Sequence, residues 1–91
     1  MRYLVVYDIT DDSDRTGVSE ILKNYGLKRF QKSAFIGKLK HSKYNSLITD
    51  LTNRQGVLKI MVAPICDKDF ENIKFFGFDI IEENEHAIKF F

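Results

Sequence analysis

The sequence predicts an α+β fold in which an antiparallel sheet is covered on one face by two helices. Two observations support it. Stretches rich in β-branched and aromatic residues, typical of strands, alternate with two stretches whose apolar residues recur at the spacing of an amphipathic helix. The order along the 91 residues is strand, helix, two strands, helix and strand. A chain of this length forms one domain with a thin core.

The first strand is the most apolar stretch of the N-terminal half. Residues 3–7 are Tyr-Leu-Val-Val-Tyr, a composition that predicts a central strand buried on both faces. The strand ends at Asp8, and Asp11 and Asp12 follow closely. A carboxylate at the exit of a central strand lies at the rim of the core, where it can bind a cation.

Helical spacing over residues 12–25 predicts the first helix. Its apolar positions are Val18, Ile21, Leu22 and Tyr25. Asp11, Asp12 and Ser13 are the N-cap candidates, and Gly26 stands where a glycine ends many helices. Gly17 inside this helix suggests the close approach of a strand or ligand.

Residues 28–31 and 34–39 predict two short strands joined at Lys32-Ser33, with one bent, bulged strand as the alternative. Gly37 indicates a bulge or a close backbone approach. Ser42 is the predicted N-cap of a second helix, and Gly56 is predicted to mark its end.

Four further segments are predicted after the second helix. They are an edge strand with Pro64 near its end, a turn and two short strands, over Val57–Ile65, Asp67–Phe70, Ile73–Phe76 and Phe78–Ile81.

This order of elements is that of the ferredoxin-like fold. The predicted domain spans residues 1–82, and residues 83–91 form a tail whose apolar end is a candidate docking strand for a partner chain. The first strand and residues 57–65 are apolar on both sides, and no segment is left to cover the second face of the sheet. A second copy packed there predicts a two-fold homodimer.

Composition indicates the cellular compartment in which we expect the protein. Cys66 is the only cysteine and cannot form an intrachain disulfide, which suits a reducing compartment. The N-terminus lacks the pattern of a signal peptide, and no apolar run approaches the ~20 residues of a membrane span. We therefore expect a cytoplasmic protein without membrane contact.

The net charge of +1 conceals a strong segregation of charge. Residues 21–49 carry seven basic and no acidic side chains, whereas residues 67–85 carry seven acidic side chains. The basic residues are Lys23, Lys28, Arg29, Lys32, Lys38, Lys40 and Lys43. A basic block with interleaved aromatic residues suits a nucleic-acid backbone; the alternative is a solvated face balanced by the acidic segment.

Three stretches of the chain resemble the small CRISPR-associated family of spacer acquisition, the "Cas two" family. The first two are Tyr7-Asp8-Ile9-Thr10-Asp11-Asp12 with Arg15, and Tyr25-Gly26-Leu27 followed by the Arg29–Gly37 segment. The third is the strand end Ala63-Pro64-Ile65. The resemblance is close over residues 1–40 and extends to the remainder by layout.

The resemblance implies a ferredoxin-like homodimer with a Mg²⁺-dependent phosphodiesterase activity on RNA or DNA, absent in some members. It also implies that the dimer bridges the larger integrase subunit of CRISPR adaptation. The family's metal aspartate falls on Asp8, and its supporting positions fall on Tyr7, Arg15, Arg29 and Phe35. Some members carry an arginine shortly after the position of Arg15, where this chain has Gly17.

Asp8 is accordingly the candidate catalytic residue and Mg²⁺ ligand, with capping of the next helix or turn as its structural alternative. The candidate nucleic-acid contacts are Arg15, Arg29, Lys28, Lys38 and Lys40. For Arg15, the alternative role is a salt bridge to Asp11 or Asp12. For Arg29, the alternative is a solvated side chain on its strand.

Two aromatic residues complete the set of candidates. Phe35 is assigned either to base stacking or, preferably, to the core, and Tyr7 to the core with its hydroxyl at the dimer seam. Because one chain supplies one well-placed carboxylate, a two-fold axis near Asp8 would complete the metal site.

Two rival functions stay open at this point. One is a non-catalytic scaffold that binds DNA and docks integrase subunits. The other is a ferredoxin-like ribonuclease toxin, which shares the layout.

Overall fold

The computed structural model describes residues 1–77 of the chain. Seven elements follow one another: β1 (Arg2–Tyr7), α1 (Asp12–Asn24), β2 (Lys28–Gln31), β3 (Ala34–Lys38), α2 (His41–Asn53), β4 (Ile60–Ile65) and α3 (Asp67–Glu71). The four strands form one sheet in the order β2-β3-β1-β4, with antiparallel neighbours throughout. The predicted ferredoxin-like order is confirmed. The predicted strand Phe78–Ile81, the end of the predicted domain and the tail lie outside the described residues.

The main core lies between the sheet and the two long helices. Tyr3, Val5 and Tyr7 of β1 point into it, and Val5 pairs with Phe35 on one side and Val62 on the other. Leu22 of α1 and Leu47 of α2 are fully buried against this face. The core therefore forms where the apolar stripes of both helices meet alternate residues of β1 and its neighbours.

The prediction that β1 is buried on both faces is wrong for the single chain. Burial alternates along the strand, and Val6 is 37% exposed. Met61, its partner in β4, is 53% exposed. We call the side of the sheet that carries Leu4, Val6, Met61 and Ala63 the outer face.

The outer face is nevertheless partly covered by the chain itself, which corrects the prediction that no segment was left to do so. The predicted turn Asp67–Phe70 is the helix α3, and Arg2 stands over the Phe70 ring at 4.2 Å. Phe75 is buried and meets Phe30 of β2 edge-on, with 5.6 Å between ring centroids. Residues 73–76, predicted as a strand, are irregular.

Local signals explain most of the element boundaries. The Asp11 side chain accepts a hydrogen bond from the Asp14 amide at 2.8 Å, which confirms it as the N-cap of α1. Gly26 follows this helix with a φ of +88°, a conformation that favours glycine. Gly37 is a close approach, as predicted, because a Cβ there would meet the Leu27 side chain at 2.7 Å.

Several boundaries differ from the prediction. The second helix ends at Asn53, before the Gly56 that was predicted to mark its end. The N-cap position of α2 is held by Lys40, without a side-chain hydrogen bond, instead of Ser42. The strand predicted from Val57 begins at Ile60, since Gly56, with a φ of +124°, and the three residues after it form a connection. Pro64 lies in β4, at the edge of the sheet formed by the described strands.

Among residues 1–77, no helix combines the length and apolarity needed to cross a bilayer.

The two helix starts generate a matched stability test. Asp11→Ala should lower the free energy of unfolding by about 1 kcal/mol because the Asp14 amide loses its acceptor. Ser42→Ala should change it by less than about 0.5 kcal/mol because Ser42 caps nothing. Urea unfolding followed by circular dichroism measures both values, and equal losses in the two variants would contradict the assignment.

Candidate metal and nucleic-acid site

Asp8 extends the β1–β4 ladder by one residue. Its amide donates to the Lys59 carbonyl at 2.9 Å, so its backbone is held although the strand has ended. Its side chain is exposed and receives no hydrogen bond or ion pair from the rest of residues 1–77. Alternation along the strand assigns it to the outer face, two residues after Val6. Since Asp11 is the cap of α1, the described structure gives the Asp8 carboxylate no capping role.

Arg15 fixes the turn that follows Asp8. Its Nη1 donates to the carbonyls of Ile9 and Thr10, at 3.1 and 3.3 Å, and its Nη2 pairs with the Asp12 carboxylate. The salt-bridge alternative for Arg15 is therefore present, with Asp12 as the partner. Two of the three interactions of this guanidinium hold the backbone directly after the candidate metal ligand, and the third pairs it with a side chain of α1.

A cleft of about 190 Å³ opens beside the start of α1, on the helix side of the sheet. We call it the arginine cleft; its lining residues are Tyr7, Arg15, Thr16, Ser19, Arg29 and Lys32. The Arg29 guanidinium lies over the Phe35 ring, with Cζ 5.1 Å from the centroid. Its Nε is buried and lacks a hydrogen-bond partner within the described chain. The three cations in the wall of the cleft, Arg15, Arg29 and Lys32, favour an anion there.

Three residues that line this cleft are not among the predicted nucleic-acid contacts, although Lys32 belongs to the predicted basic block. Lys32 carried the clearest signal, a cation in the predicted turn three residues after Arg29. Thr16 and Ser19 are hydroxyl residues in the predicted helix, and no local pattern distinguished them from solvated positions.

The two aromatic candidates belong to the core. Tyr7 is 4% exposed and Phe35 is fully buried, with 6.3 Å between their ring centroids. The Tyr7 hydroxyl donates to the Lys32 carbonyl at 3.4 Å. No face of the Phe35 ring is open to a nucleic-acid base, so both residues act through packing beneath the cleft.

Lys38 and Lys40 lie at the other end of the sheet from Asp8. Lys38 pairs with Arg2 at the start of β1, and the six-residue strand separates the two ends by roughly 20 Å. With Lys43 and Tyr25 they line a second cleft of about 520 Å³, the lysine cleft. Lys28, the remaining candidate, pairs with Ile36. The basic block does not form one surface facing Asp8, because the β2–β3 hairpin divides it between the two ends.

Asp8 is one possible ligand and not a complete metal site. Within residues 1–77, no three His, Cys, Asp or Glu side chains come close enough together to hold a metal ion. Any ion at Asp8 would need further oxygen ligands from water, from a bound phosphate or from another chain.

The fold and the site define a ferredoxin-like domain with an exposed aspartate after its central strand and basic clefts at both ends of the sheet. The chain belongs to the family of the CRISPR associated protein Cas2, whose model matches residues 1–73.

A relative from Korarchaeum cryptofilum, named CRISPR-associated endoribonuclease Cas2, is 47% identical over 78% of each chain. A CRISPR-associated endonuclease Cas1/endonuclease Cas2 fusion from Thermoproteus tenax is 51% identical over 43% of this chain and 15% of the fusion. A crystal structure of cas2 superposes with a TM-score of 0.59 at 28% identity, covering 69% of this chain and 71% of the other.

Tyr25, in the wall of the lysine cleft, offers a test of this part of the structure. Its hydroxyl donates to Asp50 at 2.5 Å, and this hydrogen bond raises the pKa of Tyr25 above the usual 10.0. The resulting contribution to stability is complete below pH 10 and is lost as the pH rises through the raised value. Absorbance at 295 nm, compared with Tyr25→Phe, measures this pKa. Asp50→Asn should lower it, and an unchanged titration would contradict the contact.

Proposed function

We propose that this protein acts in CRISPR adaptation as a homodimer with metal-dependent phosphodiesterase activity, in which Asp8 binds Mg²⁺ and the basic clefts bind nucleic acid. The observation that carries the proposal is the Asp8 carboxylate, which is exposed and unpaired in the described chain on a backbone held by both β4 and Arg15. Relatives of this chain that are named endoribonuclease or endonuclease support the same class of reaction, the cleavage of a phosphodiester.

The donor chemistry at Asp8 fits Mg²⁺. Mg²⁺ takes one or two carboxylates and keeps water and phosphate oxygens at its other positions, so a single aspartate per chain is enough. When bound, the ion supplies Lewis-acid chemistry that polarises a phosphodiester and makes water more acidic. Asp8 would hold the ion, and Arg15 would keep the Asp8 turn in place.

The arginine cleft opens on the opposite face of the sheet from the Asp8 side chain and would supply cations for a phosphate further along the nucleic-acid strand. Arg29 presents a fork of donors of which Nε has no described partner, and exposed Lys32 adds a second charge. A guanidinium fork matches two phosphate oxygens at once. We propose that Arg29 and Lys32 bind the strand of nucleic acid, and that Arg15 contributes charge at the edge of the cleft.

A second copy of the chain would complete the metal site. Val6 and Met61 leave apolar surface on the outer face, the same face to which alternation assigns Asp8. A two-fold axis through this patch buries the apolar surface and places two Asp8 side chains on facing sheets. The hypothesis of a homodimer rests on this shared location.

The integrase subunit Cas1 is the proposed protein partner, because a relative exists as a fusion of Cas1 and Cas2. We propose a cytoplasmic location, which suits both free Cys66 and a function on cellular nucleic acid. The boundary at residue 82 and a docking role for residues 83–91 stay predictions.

A non-catalytic scaffold is the second candidate, and the lysine cleft favours it. Lys38, Lys40 and Lys43 lie roughly 20 Å from Asp8 by the length of β1. Cations so far from the reaction would contribute to holding duplex DNA and not to cleavage. Membership of the Cas2 family favours either CRISPR role over the ribonuclease-toxin alternative.

Cleavage of labelled single-stranded RNA and duplex DNA at increasing Mg²⁺ tests the proposal. The protein should cleave at least one substrate, and EDTA should stop it. Asp8→Asn should reduce the rate at least about a hundredfold, since the substitution removes the charge that binds the ion. Asp67→Asn is the matched control, because it removes an exposed carboxylate near the other end of β1, where Asp67 pairs with Arg2.

Binding measured in parallel separates the scaffold from the enzyme. Lys38→Ala and Lys40→Ala should each lower the slope of log affinity against log salt by about 1, with Mg²⁺ dependence of cleavage unchanged. Salt-dependent binding without cleavage by the unmodified protein would overturn the enzymatic proposal in favour of the scaffold. Cleavage that survives in Asp8→Asn would overturn the assignment of Asp8.

A further inference from the structure

Arg54, which directly follows α2, reaches across to the first turns of α1. Its Nη2 donates to the Ser13 carbonyl at 3.4 Å and lies 3.6 Å from the Asp14 carboxylate. The Arg54 and Asp14 side chains are only 29% and 23% exposed. This ion pair is therefore more shielded from water than a typical surface pair.

Two glycines make room for this pair. A Cβ added at Gly17 would overlap the Arg54 guanidinium. A Cβ added at Gly56 would come within 2.6 Å of Asp14 Oδ2. Gly17 inside α1 thus permits the close approach of the side chain of Arg54, the residue after α2, where the sequence predicted a strand or a ligand.

The Arg54 contact joins the two segments of the chain that hold the backbone around Asp8. The connection that starts at Arg54 leads to Lys59, whose carbonyl holds the Asp8 amide. On the other side, Arg15 of α1 holds the carbonyls of Ile9 and Thr10. The hydrogen bond and ion pair described between α1 and residues 54–59 are those that Arg54 makes with Ser13 and Asp14. Without them, the two segments that hold the Asp8 turn would lose this direct link.

We infer that Arg54 is a positioning residue, which clamps the connection between α2 and β4 onto α1 and so keeps the turn at Asp8 ordered. Its importance for catalysis rests on the proposed function; the order of the turn does not. The test therefore reads the backbone directly, by amide hydrogen exchange on the full chain followed by NMR.

Two variants break the clamp in different ways. Arg54→Ala removes the guanidinium. Gly17→Ala keeps the guanidinium but displaces it from the helix surface, and alanine itself favours the helix more than glycine does. Both should accelerate exchange of the Asp8 amide roughly tenfold relative to the Leu39 amide, which donates to Met1 at the other end of the sheet. The double variant should exchange no faster than either single one, because both remove the same contact.

Arg2→Ala is the matched control. Arg2 pairs with the exposed Asp67 at 2.6 Å, an arginine–aspartate pair at the other end of β1. The Arg2→Ala variant should leave the hydrogen exchange of the Asp8 amide unchanged.

Gly17→Ala separates positioning from simple stability. If Arg54 only stabilised the fold, Gly17→Ala would slow or preserve exchange at both amides in step with the thermal midpoint. Faster exchange at Asp8 with an unchanged or higher midpoint supports the inference. Exchange at Asp8 that stays unchanged in Gly17→Ala, or that merely follows Leu39 in Arg54→Ala, would overturn it. A chain that never cleaves nucleic acid would still give this result, so failure of the proposed function would be recognised separately.

Discussion

The hydrogen-bond ladder between β1 and β4 is the constraint on which the candidate site depends. It pairs all six residues of β1 and continues once more, from the Asp8 amide to the Lys59 carbonyl. This last bond fixes the backbone of a residue whose side chain is in water. A carboxylate held in this way can bind an ion without first losing backbone freedom, which lowers the entropic cost of binding.

Charge in this chain is organised by the hairpin of β2 and β3. The hairpin returns along the sheet, so a continuous basic block in the sequence becomes two separate clefts. Arg29 and Lys32 line the cleft beside Tyr7, whereas Lys38 lies opposite Arg2. In the proposed function, this separation of roughly 20 Å would let one end act on a phosphodiester while the other end holds the nucleic-acid backbone further along.

The sequence predicted the elements whose signals are local. The helical spacing of α1, its Asp11 cap and the glycine after it are short-range patterns, and each was found where expected. The start of α2 was missed because Lys40 makes no side-chain hydrogen bond that a sequence could signal. The five residues of α3 are too few to show a helical period, and their acidic, polar composition is typical of a turn.

The candidate site was predictable only in part, for the same reason. Asp8 follows a strongly apolar strand and could be chosen from its position alone. The distance between Asp8 and the lysines depends on strand pairing, and the contact of Arg54 with Gly17 joins residues far apart in the sequence. Neither follows from composition or spacing. The outer face was partly misjudged because Phe70 and Phe75, both buried, lie in segments predicted as a turn and a strand.

The central claim is that two copies bring their Asp8 ends together, and spin-label distances test it most directly. Cysteines replacing exposed Thr10 or exposed Lys40, each in a Cys66→Ser background, place one label per chain near either end of the sheet. Pulsed electron paramagnetic resonance on the full chain should then show a dimer in which the two labels at position 10 are closer together than the two labels at position 40. A monomer, or a dimer with the longer distance at position 10, would contradict the account.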